Sequence, residues 1–398
     1  MNGELAPAMT TLTGNWNYPT AIRFGSGRVR ELAEACKAAG IARPLLVTDR
    51  GLATLPMIAA AMATLREAGL EAALFSDVGS DPTGEDVAAG GAALEAHMAD
   101  GVIAFGGGSS LDAGKAIAFA TLQTRPLWDF EDIGDNYLRA DPARILPVVA
   151  VPTTAGTGSE VGRASVIKDT DARRKRIIFH PLMLPRIVIA DPALTVGLPA
   201  ALTAAVGMDA LSHNLEAFFA PGYHPFARGI AVEGARLVKT WLPTAVNEPA
   251  NLEARGHMLA ASEAGATAFQ RGLGAMHALA HPLGARFGVH HGLLNAVLMP
   301  YVLVANRPAI EADAAWLAGC LGLDASFEAL TAWVVDLRRA IAIPATLADV
   351  GVPGDAAAEI ARMAVEDASA ATNPIAFTQA QYGDLFAHAW RGDLSPIP

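Results

Sequence analysis

Cysteine, aromatic side chains and charge are all scarce in this chain. Only two cysteines, Cys36 and Cys320, occur among 398 residues. Both lie in apolar, helix-like stretches far apart in sequence, so the expectation is two buried free thiols in a reducing compartment. Aromatics make up 6% and charged residues 17%, while 52% of the chain is apolar. That balance excludes a disordered chain and allows a large core, and the abundance of alanine favours tightly packed helices. The formal net charge is −11. Binding to a nucleic-acid backbone wants a basic face, so no nucleic-acid partner is expected. The one basic cluster, Arg173-Arg174-Lys175-Arg176, is short enough to read as a solvated turn. No uninterrupted apolar run reaches the roughly 18 residues of a membrane span. The opening MNGELAPAMTTLTGN lacks the basic segment and apolar stretch of a signal peptide. Cytoplasmic residence without a membrane partner is therefore the default expectation.

What is present is a change of pattern near the middle. Short apolar runs at 44–48, 72–76, 102–105, 148–151 and 187–190 alternate with helical patterns such as 51–68 and 84–97. Buried strands separated by helices imply a parallel sheet covered on both faces. From about Thr195 onward, helical patterns take over: 198–219, 225–241, 252–268 and 273–287. The boundary falls near 193–197. The expected fold is an α/β N-terminal domain (1–195) with a mainly parallel dinucleotide-binding sheet. An all-α C-terminal domain (196–398) carries a metal. A loop from Thr372 leads into a short last helix.

Two kinds of chemistry are legible in this frame. Asp209 and His213 are four residues apart in one helical pattern, and His277 and His281 repeat the spacing in another. Residues i and i+4 share one helix face, and His291 follows a turn near Gly288. One carboxylate with several imidazoles suits a borderline divalent cation, with iron, zinc, manganese and cobalt all compatible. The alternative is a set of ordinary surface or capping histidines. The second chemistry lies at strand ends. Gly106-Gly107-Gly108 joins a strand to a helix, and backbone N–H groups there can receive a pyrophosphate. A tight connection without a ligand is the alternative. Asp49, past another strand, suits a ribose 2′-hydroxyl or a helix N-cap. The run 152–160, PTTAGTGSE, brings hydroxyl donors to a further strand end.

These motifs together resemble the iron-containing, or group III, alcohol dehydrogenases. The match runs from TAIRFGSG (20–27) through GGGSSLDAGKA (106–116), PTTAGTGSE (152–160), GMDALSHNLEAF (207–218), HALAHPLG (277–284) and HHGLLNAVLMP (290–300) to TNP (372–374). The resemblance implies that Asp209, His213, His277 and His291 are metal ligands. It implies a proton-relay role for His281. It aligns Asp49 with the acidic residue associated with NAD preference, and Gly107, Gly108, Ser109 and Asp112 with pyrophosphate and ribose contacts. Thr153, Thr154 and Thr157 would line the cofactor, and Lys175 would approach it. The chain has His290-His291-Gly292 where many members have Pro-His-Gly. His291 keeps the fourteen-residue offset from His277, so His290 is taken as a neighbour. A shortened link from Phe269 to Gly272, together with HHG and LLVTDRG, is similar to the 4-hydroxybutyrate dehydrogenase-like branch. On that reading Phe269 and Arg271 are substrate contacts, Arg271 receiving a carboxylate through its guanidinium fork. A helix-start arginine without a ligand is the other reading.

The cofactors implied are NAD and one divalent metal, with Fe(II) expected first and Zn or Mn as alternatives. The substrate implied is a small alcohol or aldehyde, and the oligomeric state a dimer or larger. The cofactor is expected on the α/β wall of a cleft and the metal on the helical wall. Two neighbouring readings join NAD to a metal on a similar fold, a maleylacetate-reductase-like enzyme and a dehydroquinate-synthase-like lyase. The latter needs more basic residues around its phosphorylated substrate than the metal motifs here supply.

Overall fold

A computed structural model describes residues 14–16, 20–172 and 174–397. The stretch inspected for a signal peptide and Arg173 of the basic cluster fall largely or wholly outside them. In the first half, strands and helices alternate as the apolar runs require. The strands are β1 (Gly14–Trp16), β2 (Ala21–Phe24), β3 (Pro44–Asp49), β4 (Ala73–Val78), β5 (Gly101–Gly106), β6 (Val148–Pro152), β7 (Ala164–Asp169), β8 (Arg174–Phe179) and β9 (Ile187–Ala190). Between them lie α1 (Leu32–Ala38), α2 (Pro56–Glu67), α3 (Gly84–His97) and α4 (Gly108–Ala120). The main sheet has the order β1-β2-β9-β6-β5-β3-β4. It is parallel throughout except for β1, which pairs antiparallel with β2. Strands β5, β6 and β9 are buried at every position, because helices cover both faces. Leu46, Ile103, Phe105, Val149 and Ile189 pack against α1 and α2. Leu45, Val47, Val102, Ala104 and Ala150 face Leu111 and Ile117 of α4 on the other side.

The chain passes from β3 outward to β4, then returns to lay β5 on the opposite flank of β3. The carboxyl ends of β3 and β5 therefore flank the point where strand order reverses, the place ligands occupy in open parallel sheets. Helix α2 starts at Pro56 rather than near Gly51. Asp49 Oδ1 accepts the N–H groups of Gly51 (2.9 Å) and Leu52 (3.0 Å), which holds a separate turn, and Pro56 then suits the first helical position.

The hairpin β7–β8 carried no strand signal, and it corrects the reading of the basic cluster as a solvated turn. Arg174, Lys175 and Arg176 lie in β8. Arg176 reaches Glu131 (2.9 Å) and Asp169 (2.6 Å), and Arg174 reaches Glu131 (3.1 Å). Opposed carboxylates let this run of cations form a strand without mutual repulsion.

The second half holds α5 (Ala200–Phe219), α6 (Pro225–Asn247), α7 (Leu252–Ala268), α8 (Ala275–Phe287), α9 (His291–Cys320), α10 (Phe327–Ala340), α11 (Ala357–Glu366) and α12 (Gln379–Arg391). Helix α5 is buried over most of its length and packs against α6, α7 and α9. Among the described residues, α9 is the one helix long and apolar enough to cross a membrane. Most of its apolar window is instead buried within the helical half, as in a core helix. Cys320, at the end of α9, is exposed, against the expectation of burial, whereas Cys36 is buried. Burial pushes the Cys36 thiol up to about 12, so it is inert at neutral pH.

The two halves meet at the turn after β6. A Cβ on Gly158 would lie 2.2 Å from Ala266 Cβ and 2.7 Å from the Ser262 carbonyl oxygen. The positive φ of 59° at Gly158 and this contact with α7 both call for glycine. Beside the contact are two buried carboxyls, Glu160 and Glu263. Oε1 of Glu160 and both oxygens of Glu263 lack hydrogen-bond partners. Burial pushes Glu160 up to about 7, against the nearby charge of Lys115. Burial and then the Glu160 charge push Glu263 well above the usual carboxylate range. Groups raised in this way bind protons more tightly folded than unfolded, so stability falls as pH rises from the ordinary glutamate range through about 7 and beyond. Glu263→Gln is expected to stabilise the protein by about 1–3 kcal/mol above neutrality, with the gain shrinking toward pH 5. Urea melts of both proteins across that pH range check this, and parallel pH profiles would refute it.

Candidate metal and cofactor site

Helix α5 presents Asp209 and His213 one turn apart, α8 presents His277 and His281, and α9 opens with His291. One ligand atom each from Asp209, His213 and His277 lie within 4.8 Å of one another. Nε2 of His291 is 3.6 Å from Asp209 Oδ1. Metal–ligand bonds of about 2.0–2.2 Å in a tetrahedron place neighbouring ligand atoms roughly 3.3–3.6 Å apart. The His213 and His277 rings stack at 4.8 Å between centroids, and His277 and His291 are 5.2 Å apart. Gly292 makes this approach feasible. A Cβ there would come 2.6 Å from the Ala205 carbonyl oxygen and 3.0 Å from Asp209 Cβ.

Protonation and hydrogen bonding agree with a cation site. Burial pushes His213 down to about 4, and burial followed by the charge of His277 pushes His291 well below its ordinary value. Both rings are thus neutral near pH 7 and keep a lone pair to offer. One carboxylate and three neutral imidazoles are a donor set suited to a borderline divalent metal.

Three supporting residues had escaped the sequence reading. Glu216 Oε2 meets His277 Nδ1 at 2.6 Å, and its Oε1 accepts the Met276 N–H at 2.7 Å. Burial opposes a charge on His277, but the carboxylates of Glu216 and Asp209 outweigh it and raise its affinity for a proton. With Nδ1 turned to Glu216, Nε2 faces the cluster. Asp367 Oδ2 meets His281 Nδ1 at 2.9 Å. Burial alone would raise this carboxyl, but His281 and the Ser369 N–H bring it below the usual range. Asn295, one turn beyond His291, points its amide into the ligand cluster. Glu216 and Asn295 do carry a helical-spacing signal, three residues after His213 and four after His291. Asp367 carries none. The TNP motif supports α8, because Asn373 Oδ1 accepts the Ala275 N–H at 3.0 Å.

The cofactor residues gather at the strand ends. Gly106-Gly107-Gly108 links β5 to α4 at the point of strand reversal, next to Thr153, whose N–H donates to the Gly106 carbonyl at 2.9 Å. Cβ atoms on Gly107 and Gly108 would meet Thr154 at 3.3 Å and Thr157 at 2.6 Å, so the glycine turn and the threonine loop form one surface. Asp49 caps its turn through Oδ1 and accepts the Ser110 hydroxyl at 2.9 Å through Oδ2. Ser109 Oγ donates to the Ser80 carbonyl at 2.6 Å. Lys175 pairs with Asp81 at 2.8 Å, and its charge contributes to lowering the proton affinity of His290 and His291. Burial chiefly lowers His290, the neighbour of the ligand.

Two expected roles meet a different geometry. Both Asp112 oxygens turn inward, one accepting from the Ser159 hydroxyl and the other from the Val166 N–H at 2.9 Å. Lys115 lies 3.3 Å away. The carboxylate therefore anchors the β7–β8 hairpin rather than presenting itself to a ribose. Arg271 donates to the carbonyls of Gly222, Ala217 and Phe218. It caps the end of α5, where helix carbonyls lack partners, and is not a free fork for a substrate carboxylate. Phe269 does reach the site, its ring 5.2 Å from His213.

Glu216→Gln is expected to weaken metal binding by about 10–100-fold, read by competition with a chromophoric chelator. Unchanged affinity would remove its role in orienting His277. Arg271→Ala is expected to cost about 1–2 kcal/mol of stability while changing turnover on acidic and neutral aldehydes in the same proportion. A selective loss on acidic aldehydes would restore the carboxylate role.

Residues 19–192 match the family model of iron-containing alcohol dehydrogenase, and residues 203–390 match that of the Fe-containing alcohol dehydrogenase family, C-terminal. The 4-hydroxybutyrate dehydrogenase of Cupriavidus necator is 38% identical over 92% of this chain and 97% of its own length. A crystal structure of 1,3-propanediol oxidoreductase aligns with a TM-score of 0.87 at 35% identity, over 93% of this chain and 97% of that one. The sulfoacetaldehyde reductase of Bifidobacterium kashiwanohense, solved in complex with NAD+, aligns with a TM-score of 0.85 at 29% identity, over 96% of this chain and 99% of that one.

Proposed function

The chain belongs to the iron-containing alcohol dehydrogenase family, and from that premise we propose that it interconverts a small primary alcohol or hydroxy acid with its aldehyde. Family membership makes it an NAD-dependent alcohol oxidoreductase that uses a divalent metal. The observation that carries the reading is the convergence of Asp209, His213, His277 and His291 from three helices, beside a glycine and threonine cradle at the strand ends.

In this scheme the four side chains hold the metal, with Fe(II) as the first expectation. When bound, the metal and the nicotinamide supply Lewis acidity and a hydride acceptor, respectively. The protein's own residues do the rest. The glycine turn and the start of α4 receive the pyrophosphate. Asp49 accepts from a ribose hydroxyl and disfavours a 2′-phosphate by charge. Lys175, paired with Asp81, would supply positive charge on the cofactor side. Phe269 shields the reacting face beside His213 from water. His281, its Nδ1 held by Asp367, leaves Nε2 to take the hydroxyl proton and pass it on.

The relatives support this choice of substrate class. They are named for activity on 4-hydroxybutyrate, 1,3-propanediol and sulfoacetaldehyde, all short chains with a second polar group. We take 4-hydroxybutyrate and succinic semialdehyde as the leading pair, recognised without Arg271. The test is NADH consumption on succinic semialdehyde, lactaldehyde and simple aliphatic aldehydes, with metal content measured alongside. Asp209→Ala is expected to lose the metal and at least about 100-fold in turnover. Wild-type metal content and turnover in that variant would sink the scheme.

A further inference from the structure

Asn295 is completely buried, one turn beyond His291 on α9. Its Nδ2 lies 2.8 Å from Asp209 Oδ1, 3.1 Å from His291 Nε2 and 3.2 Å from His277 Nε2. Its Oδ1 is buried without a partner. Turning the amide over would set that oxygen against the Asp209 carboxylate, so the orientation with Nδ2 inward is the favoured one. Three acceptors converge on a single nitrogen that has only two protons. The Nε2 lone pair of His277 is fixed there because Glu216 holds Nδ1. Acceptors brought this close without a donor between them would repel one another.

We propose that Asn295 is a positioning residue for the metal. Its amide gathers Asp209, His277 and His291 onto one point before the ion arrives, and its neutrality leaves the site with a single carboxylate. This rests on the reading of the cluster as a metal centre. A carboxylate oxygen has two lone pairs, so the bond to Asp209 is compatible with ligation. An imidazole nitrogen has one, so the contacts with His277 and His291 are given up when an ion takes them. The amide thus serves as a weak placeholder that organises the ligands and then yields.

The experiment uses the full chain stripped of metal, with Zn2+ as probe and a chromophoric chelator as competitor. Asn295→Leu, similar in volume, is expected to weaken Zn2+ binding by about 10–100-fold. Asn295→Asp adds an anionic donor and is expected to bind at least about 10-fold more tightly than wild type at pH 8. In the wild-type protein, the side-chain NH2 resonances of Asn295 are expected to shift on Zn2+ addition, a readout that does not depend on the variants folding. Wild-type affinity in both variants, or NH2 resonances that do not move, would overturn the positioning role alone. A wild-type protein that takes up no Zn2+ would overturn the metal reading and this inference with it.

Discussion

The bond between Glu216 and His277 is the contact on which the site depends. One carboxylate does two jobs at 2.6 and 2.7 Å, holding the His277 ring and accepting the Met276 N–H in the first turn of α8. The start of α8 is thereby tied to the last turn of α5. That tie helps fix the histidine on α8 relative to the pair Asp209 and His213 on α5. The anion is buried, and near a helix N-terminus it also meets the positive end of the backbone dipole. Asn373 caps the same turn from a distant part of the chain. A donor set that needs ångström-scale placement is thus built on three helices, two of them clamped by these hydrogen bonds, rather than on loops.

The opposite wall is built by close approach rather than by charge. The glycine turn after β5 packs against Thr154 and Thr157, and Gly158 packs against α7. Each contact leaves out a Cβ that would collide, with threonine side chains at the glycine turn and with Ala266 and the Ser262 backbone at Gly158. The surface that would receive the cofactor is continuous with α7 and, through Gly156, whose Cβ would come 2.7 Å from Val206 Cβ, with α5. Lys115 adds to this joint from inside, its ammonium donating to the Ser159 and Ala164 carbonyls. Burial lowers its pKa, opposed by Asp112. Asp112 and Lys115 hold the hairpin that carries Lys175. Within the motif GGGSSLDAGKA, Asp112 and Lys115 are thus bonded into the scaffold.

Sequence by itself determined the parts whose physics is local. Apolar runs closed by glycine or aspartate became the parallel strands, and the i, i+4 pairs Asp209/His213 and His277/His281 lay on common helix faces, because strand and helix periodicity act within a few residues. Tertiary structure decided which groups are shared across distance. The strand β8 formed in a run of cations because Glu131 and Asp169 came to lie opposite it. Arg271 was claimed by the end of α5, and Asp112 turned inward to the hairpin. Asp367 found His281 across 86 residues. A side chain with several donors or acceptors goes to whichever partner the packed chain brings near in a dry environment. No spacing in the sequence encodes that competition.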